Sequence, residues 1–405
     1  MNNYKLRLPL VLQYLLVSGL VVACGGGGSG SGAGGSGAAS VASPGVGSGG
    51  TGISIGPITG FGSIIVNQVR YNIDGVTPSI KDATELKLGM VVQVTNAPGA
   101  STGPTGVATA VSTAAELRGE LEGIVVDPAI FLSTLVVQGV SVSVDKATVY
   151  DGFISLNALS RGNFLQVYGL PQGGGGLRAT RIEKISTTAQ LIATGSVTNL
   201  NTSSSSFKIG SLAVNFGTSA FSGISASALA NGVVLRVRGS FSAGNFIAAT
   251  IEPWLDAIPN NTKISLEGLV SGYSPTAKTF TLGDVTVDIS AAVFAGGDAG
   301  SLNDGDKVEL VGNFAKGVLY ATNVQIRQQS GNNNNNANEP FSVTGTITQF
   351  SSPSNFQVKG QAIDASQPGV VFINGTAANL AINVLVSVIG VDVVDGVLVA
   401  TQVTF

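Results

Sequence analysis

An all-β chain built as a tandem array is the fold class this sequence predicts, and three observations predict it. One pattern, Leu-x-x-Gly-x-x-apolar-x-apolar-x-Gly, recurs five times, starting at Leu86, Leu159, Leu229, Leu302 and Leu380. Each copy holds an apolar–polar–apolar triplet: Val92-Gln93-Val94, Leu165-Gln166-Val167, Leu235-Arg236-Val237, Val308-Glu309-Leu310 and Val386-Ser387-Val388. Each is followed by a second aliphatic stretch carrying Ala and Thr, at residues 108–111, 179–182, 248–251, 321–324 and 400–403.

The triplets alternate with period two, which marks a strand with one face on a core and the other in water. The leading glycines Gly89, Gly162, Gly232 and Gly305 are spaced by 73, 70 and 73 residues, and Asn383 takes the fifth place 78 residues on. That position suits a turn needing positive φ, which Asn also tolerates. Between the two strands stand turn residues such as Ala243-Gly244-Asn245, Lys316-Gly317 and Asp395-Gly396, which read as hairpin connections.

The front of each unit repeats too. A glycine leads into a first strand at Gly56, Gly123, Gly195, Gly268 and Gly345. A polar turn and a short alternating piece follow, as in Phe207-Lys208-Ile209, Phe280-Thr281-Leu282 and Phe356-Gln357-Val358, then a third piece such as Val285-Thr286-Val287. A less regular segment, briefly helical around residues 225–229, separates the third strand from the fourth. Five strands with an insertion at that place, in about 70 residues, look like a small closed barrel of the OB type, with a small sandwich as the alternative. Recurrence of the three phenylalanines at matching positions assigns them to cores rather than to a base-stacking platform.

The resulting layout is 53–113 for unit 1, 116–187 for unit 2, 190–253 for unit 3, 263–327 for unit 4 and 340–405 for unit 5. The connection between units 3 and 4 contains the only Trp, Trp254, and an Asn-rich linker spans 328–339. Units this small bury only about 60% of their unfolded surface and are individually marginal, so contacts between neighbours matter. Set in a row, five of them would span roughly 140 Å.

The Gly-x-x-Val-x-Val-x-Gly strand and the Leu-x-Ala-Thr-x-Ile ending resemble domain-of-unknown-function family 5666, a bacterial family found in tandem in exported proteins. The resemblance covers nearly everything after residue 53, with a divergent first unit and with Asn96 and Asn383 standing where Gly is usual. It implies export and a β fold, and no activity.

The N-terminus reads as an address. Lys5 and Arg7 precede an apolar run of 16 residues, 8–23, too short for the ~20 residues that a membrane-spanning helix needs. The run ends Val21-Val22-Ala23-Cys24, which resembles the lipobox of bacterial lipoproteins. That resemblance implies cleavage between Ala23 and Cys24 and lipidation of the Cys24 thiol. It makes 1–23 a signal peptide, with a plain secretory signal or a short anchor as the alternatives. Gly25 in place of Asp implies, by resemblance to Gram-negative sorting, an outer-membrane anchor facing the cell surface or the periplasm. Residues 24–52 are almost wholly Gly, Ser and Ala and read as a disordered tether with an r.m.s. reach of roughly 30 Å.

Composition removes several chemistries. The chain has no His and a single Cys, so His-based triads, His-ligated metals and internal disulfides are excluded. Charged residues make up only 11%, the net charge is −3, and Lys and Arg are scattered singly along the sequence, which argues against a nucleic-acid partner. Asp298, Asp304 and Asp306 lack the spacing of a calcium loop and read as a polar turn. Glu120 and Glu122, beside Arg118, are the candidate paired carboxylates of a hydrolase, though adjacent exposed charges on a strand are far commoner than a catalytic pair. Asn374-Gly375-Thr376 matches a glycosylation sequon and reads as incidental. The expectation is therefore a non-catalytic, lipid-anchored envelope protein, a binding or spacer array for a glycan, matrix component or envelope protein. It needs no cofactor and no metal, and an envelope hydrolase is the alternative.

Overall fold

In each fourth strand the alternation fixes which side chains enter a core. The ten apolar residues of the five triplets, Val92 to Val388, are at most 1% exposed. The computed structural model describes residues 52–97, 104–127, 132–186, 190–328 and 340–405. The signal peptide, Ala23, Cys24, nearly all of the tether and the Asn-rich linker from 329 lie outside them.

Unit 4 shows the topology. Its five barrel strands are Thr262–Ser274, Thr279–Leu282, Val285–Asp288, Lys307–Ala315 and Val318–Gln328. The first pairs antiparallel with the second and the fourth, the second with the third, and the fourth with the fifth, while the third and fifth run parallel. The ring therefore closes in the order 1-2-3-5-4-1, the OB-type barrel. A short extra strand, Val293–Ala295, and a single 3-10 turn, Ala299–Ser301, fill the place between the third and fourth strands. The same ring closes in unit 1, unit 2, unit 3 and unit 5. Phe207, Phe280 and Phe356 sit in the cores, at 1%, 2% and 1% exposure.

The two motif glycines have separate causes. The leading residue is left-handed in every unit, with φ of 81° at Gly89, 90° at Gly162, 94° at Gly232, 88° at Gly305 and 69° at Asn383. The trailing glycines Gly169, Gly239, Gly312 and Gly390 sit at β-bulges between the fourth and fifth strands. A Cβ there would strike a carbonyl oxygen of the facing strand, that of Arg178, Ile247, Tyr320 or Val399.

The units do not lie in a row. A long first strand spends its first half beside the fourth strand and its second half beside the second, so each half keeps one free edge. Unit 1's first strand, Ile53–Phe61, uses both edges: Ile53, Ser54 and Ile55 pair with Ile264, Ser265 and Leu266 of unit 4, and Gly60 and Phe61 pair with Ser342 and Val343 of unit 5. Leu117 and Arg118 of unit 2 pair with Ala193 and Ile192 of unit 3. Unit 1 is the hub, and the sequence-derived span of an extended array does not apply. Barrel closure removes the outer edges of each sheet, yet the bent first strand still offers short edges that join one unit to another.

Candidate functional site

In units 2, 3 and 4 the polar residue of the triplet points out of its barrel, but not into water as the alternation suggests. Gln166, Arg236 and Glu309 are only 3%, 6% and 0% exposed, because another unit covers that face. Cross-strand registers make it a row: Arg118–Gln166–Glu183–Asp151 in unit 2, Thr194–Arg236–Glu252 in unit 3 and Glu267–Glu309–Gln325–Ala295 in unit 4.

Unit 1's segment 81–89 is the common partner of the rows of units 2 and 3. Asp82, itself left-handed at φ 71°, accepts two hydrogen bonds from Arg238 at 2.8 Å each and one from Arg118 at 3.1 Å. One carboxylate thus ties three units together. Burial alone would raise the Asp82 pKa, but the hydrogen bond and charge of Arg238, with the charge of Arg118, hold it below the ordinary carboxylate range. Glu252 is likewise lowered: burial is outweighed by the Lys81 hydrogen bond at 2.9 Å and by the charges of Arg236, Lys81 and Arg238. Nearby, Arg181 pairs with Asp151 and Glu183 and donates to the Leu88 carbonyl at 3.1 Å, and Thr180 donates to the Gly89 carbonyl at 2.6 Å. Cations scattered singly in sequence are therefore gathered in space, each beside an acid. Unit 4's row faces unit 1 through Asn67, which donates to Ser265 at 2.9 Å.

Trp254, read from the sequence as a linker residue, is 5% exposed and packs with Val91 of unit 1, Leu170 of unit 2, Val234 of unit 3 and Leu269 of unit 4. Four units converge on one indole. Glu116, from the connection between units 1 and 2, is buried beside it at 1% exposure. Burial pushes the Glu116 carboxyl up to about 8, against the charge of Arg236 at 3.4 Å, the Gly169 N–H at 3.1 Å and a hydrogen bond to Trp254.

A cleft of about 530 Å³ opens where units 2, 3 and 4 meet. Gln172, Ser196, Asn199, Asn231, Ser271 and Thr281 line it with amide and hydroxyl groups, and Gly173, Gly174 and Gly283 leave backbone bare. Its one charged residue is Asp284, at the rim, whose carboxyl pKa is raised by desolvation against the N–H groups of Asp284 and Val234. The cleft floor touches the junction, since a Cβ on Gly283 would lie 2.6 Å from the Trp254 ring.

The other sequence candidates fall elsewhere. Glu120 and Glu122 are exposed on unit 2's first strand, whereas Arg118 is buried in the ion-pair network. Asp298 caps the 3-10 turn through Ser301, Asp306 accepts from the Asn303 N–H at 2.8 Å within the same loop, and Asp304 accepts from the Tyr273 N–H at 2.9 Å and so ties the loop to unit 4's first strand. Among the described residues no group of three or more acids and cysteines could hold a metal ion. Asn374 is exposed, and Thr376 caps the 3-10 turn Ala377–Asn379.

No curated protein and no solved structure matches. The family described as Domain of unknown function (DUF5666) matches residues 119–183, 194–252, 267–325 and 344–404, which fall in units 2 to 5. Unit 1 lies outside those segments yet closes the same ring of strands. With four matched segments over more than half its length and one barrel in each, the chain belongs to the DUF5666 family.

Proposed function

We propose that this chain is a non-catalytic binding scaffold of the bacterial cell envelope, held to the membrane by a lipid on Cys24, and that the cleft between units 2, 3 and 4 carries its ligand. The observation behind the reading is the make-up of that cleft: three units contribute neutral amide, hydroxyl and bare backbone groups to a space of about 530 Å³. Such a lining suits a hydroxyl-rich polar chain, and an envelope glycan is the ligand class that fits it. The perturbed acids Asp82, Glu116 and Glu252 are each engaged by arginine in the joints between units. That leaves Asp284 as the acid offered to a ligand in the cleft.

Because Gly283 rests on Trp254, the fluorescence of this single indole reports on the cleft. Titrating peptidoglycan fragments and outer-membrane polysaccharide into the full chain should change that emission saturably, and Thr281→Arg should abolish the response. A flat titration with every envelope glycan would remove the glycan reading. The anchor is tested separately by Cys24→Ala: release of the chain from the membrane fraction supports lipidation, and retention in an uncut form opposes it. Protease shaving of intact cells then separates a surface from a periplasmic placement.

A further inference from the structure

The turn between the second and third barrel strands reaches another unit in units 1 to 4. It is Asn67-Gln68 in unit 1, Gln138-Gly139 in unit 2, Gly210-Ser211 in unit 3, Gly283-Asp284 in unit 4 and Lys359-Gly360 in unit 5. Asn67 donates to Ser265 of unit 4 at 2.9 Å, the Gln138 amide donates to the Ile192 carbonyl of unit 3, and the Ser211 hydroxyl donates to the Gly139 carbonyl of unit 2 at 2.7 Å. In unit 4 the turn crosses to unit 3, where the Asp284 carboxylate accepts from the Val234 N–H. Units 1 to 3 make this contact with neutral amide and hydroxyl groups. Unit 4 alone places a carboxylate in the turn.

That carboxylate differs from the others set against joints. Asp82 meets Arg118 and Arg238, Glu116 meets Arg236, Glu183 meets Arg181, and Glu252 meets Arg238. Among the described residues no Lys or Arg pairs with Asp284, and none lines the cleft that it faces. Protein surrounds the carboxyl closely enough for desolvation to raise its pKa, yet the residue stays exposed. Accepting from an N–H needs no charge, as the neutral turns show, and a desolvated charge without a counter-ion is costly. A carboxylate has room for about four hydrogen bonds. The N–H groups of Asp284 and Val234 hold it in place and leave acceptor positions for a ligand.

We infer that the ligand of the cleft is an amino glycan, whose free ammonium supplies the cation missing beside Asp284. This rests on the glycan reading of the cleft given above. The amides and hydroxyls of Gln172, Ser196, Asn231 and Thr281 take the sugar hydroxyls, and the one carboxylate takes the N–H groups of the ammonium. A charge-assisted hydrogen bond of this kind is about twice as strong as a neutral one, so the unbalanced acid selects an amine over a hydroxyl or an acetamide.

Calorimetric titration of the full chain in detergent tests this, with a glucosamine oligomer and its fully N-acetylated counterpart of the same length. Mildly acidic buffer is used, where Glu116 keeps its proton and the sugar amines carry theirs. The wild type is expected to bind the free-amine oligomer roughly tenfold more tightly. Asp284→Asn is expected to bring the two oligomers within about twofold of each other. Asp284→Ser, which borrows the residue that unit 3 carries at this place, provides the second variant should the first fail to fold. Equal affinities in the wild type, or no binding of the free-amine oligomer while another envelope glycan binds, overturn the inference and leave the glycan reading standing. A preference that survives in a folded variant overturns it as well, because it then reflects the general attraction of a net-acidic chain for a cation. Silence with both oligomers and with every other envelope glycan removes the glycan reading itself, and the inference with it.

Discussion

Replacing Glu116 by Gln should make this protein more stable, although it deletes one partner of a buried ion pair. The carboxyl titrates at about 8 in the folded chain against an ordinary 4.5, so the folded state binds a proton more tightly than the unfolded state. The stability tied to this group is therefore complete below pH 4.5 and is lost as pH rises through 8. At 1.36 kcal/mol per unit, the loss relative to the acid limit is roughly 3 kcal/mol at pH 7 and about 5 kcal/mol at pH 9. Gln keeps an acceptor for the Gly169 N–H and the volume beside Trp254 without that titration, while Arg236 retains Glu252 at 3.6 Å. Allowing for the weakened contact to Arg236, a gain of roughly 1–3 kcal/mol at pH 7 is expected. Urea unfolding followed by circular dichroism at pH 5, 7 and 9 measures it. The wild type should lose on the order of 1 kcal/mol more than the variant between pH 7 and 9. Equal slopes in the two proteins, with the variant less stable at every pH, would mean that Glu116 is ionised and held by Arg236, and the reasoning would fail.

Three more outcomes follow from the joints. Trp254→Ala empties the meeting point of four units and should cost about 3–5 kcal/mol; in the wild type, unfolding seen by the single Trp should coincide with unfolding seen by circular dichroism, because the joint and the barrels unfold together. Asp82→Asn leaves Arg118 and Arg238 facing a neutral amide and should cost about 3–5 kcal/mol in urea unfolding. Since the pKa values of Asp82 and Glu252 are both lowered by folding, their stabilisation is present above their ordinary values and is lost as pH falls through the folded ones, so acid titration of the wild type should show destabilisation setting in below about pH 4, reduced in the variant. Gly89→Ala and Gly162→Ala both force Ala into a left-handed turn at about 1–2 kcal/mol. Only at Gly89 would the new Cβ also press on unit 2, 2.6 Å from the Thr180 oxygen, so its urea midpoint should drop further than that of Gly162→Ala.

The barrels were legible because their determinants are local and repeated. The alternation of Val92-Gln93-Val94 and its four counterparts placed the inner faces, and Asn383 at φ 69° confirmed that the leading position is chosen for its backbone. What alternation cannot say is what the polar side meets. Gln166 and Arg236 read as solvent-facing for that reason, and both are buried. The partners lie far along the chain, with Asp82 bonded to Arg238 across 156 residues, so no window of sequence contains the pair. One signal was present: in a chain with only 11% charged residues, Arg at 118, 236 and 238 on otherwise apolar strands is costly unless it is matched. Trp254 was missed as a packing centre because its neighbours Pro253, Asp256 and Pro259 give the segment the look of a connection. The cleft was not visible at all, since its lining comes from three units.

The hub arrangement ties the proposed binding surface to the stability of the joints. A barrel of about 70 residues is marginal alone, and here the outer rows of units 2, 3 and 4 are covered by another part of the chain. The cleft exists only where units 2, 3 and 4 are docked, and its Gly283 rests on the same indole that Val91, Leu170, Val234 and Leu269 surround. A ligand held there by groups from all three units binds the docked state and not the separated one, so its binding free energy adds to that of the joint. Glu116, buried in the same joint, makes docking weaker as its carboxyl ionises near pH 8. Affinity for a cleft ligand should therefore fall on the alkaline side through the joint rather than through any titrating group that touches the ligand.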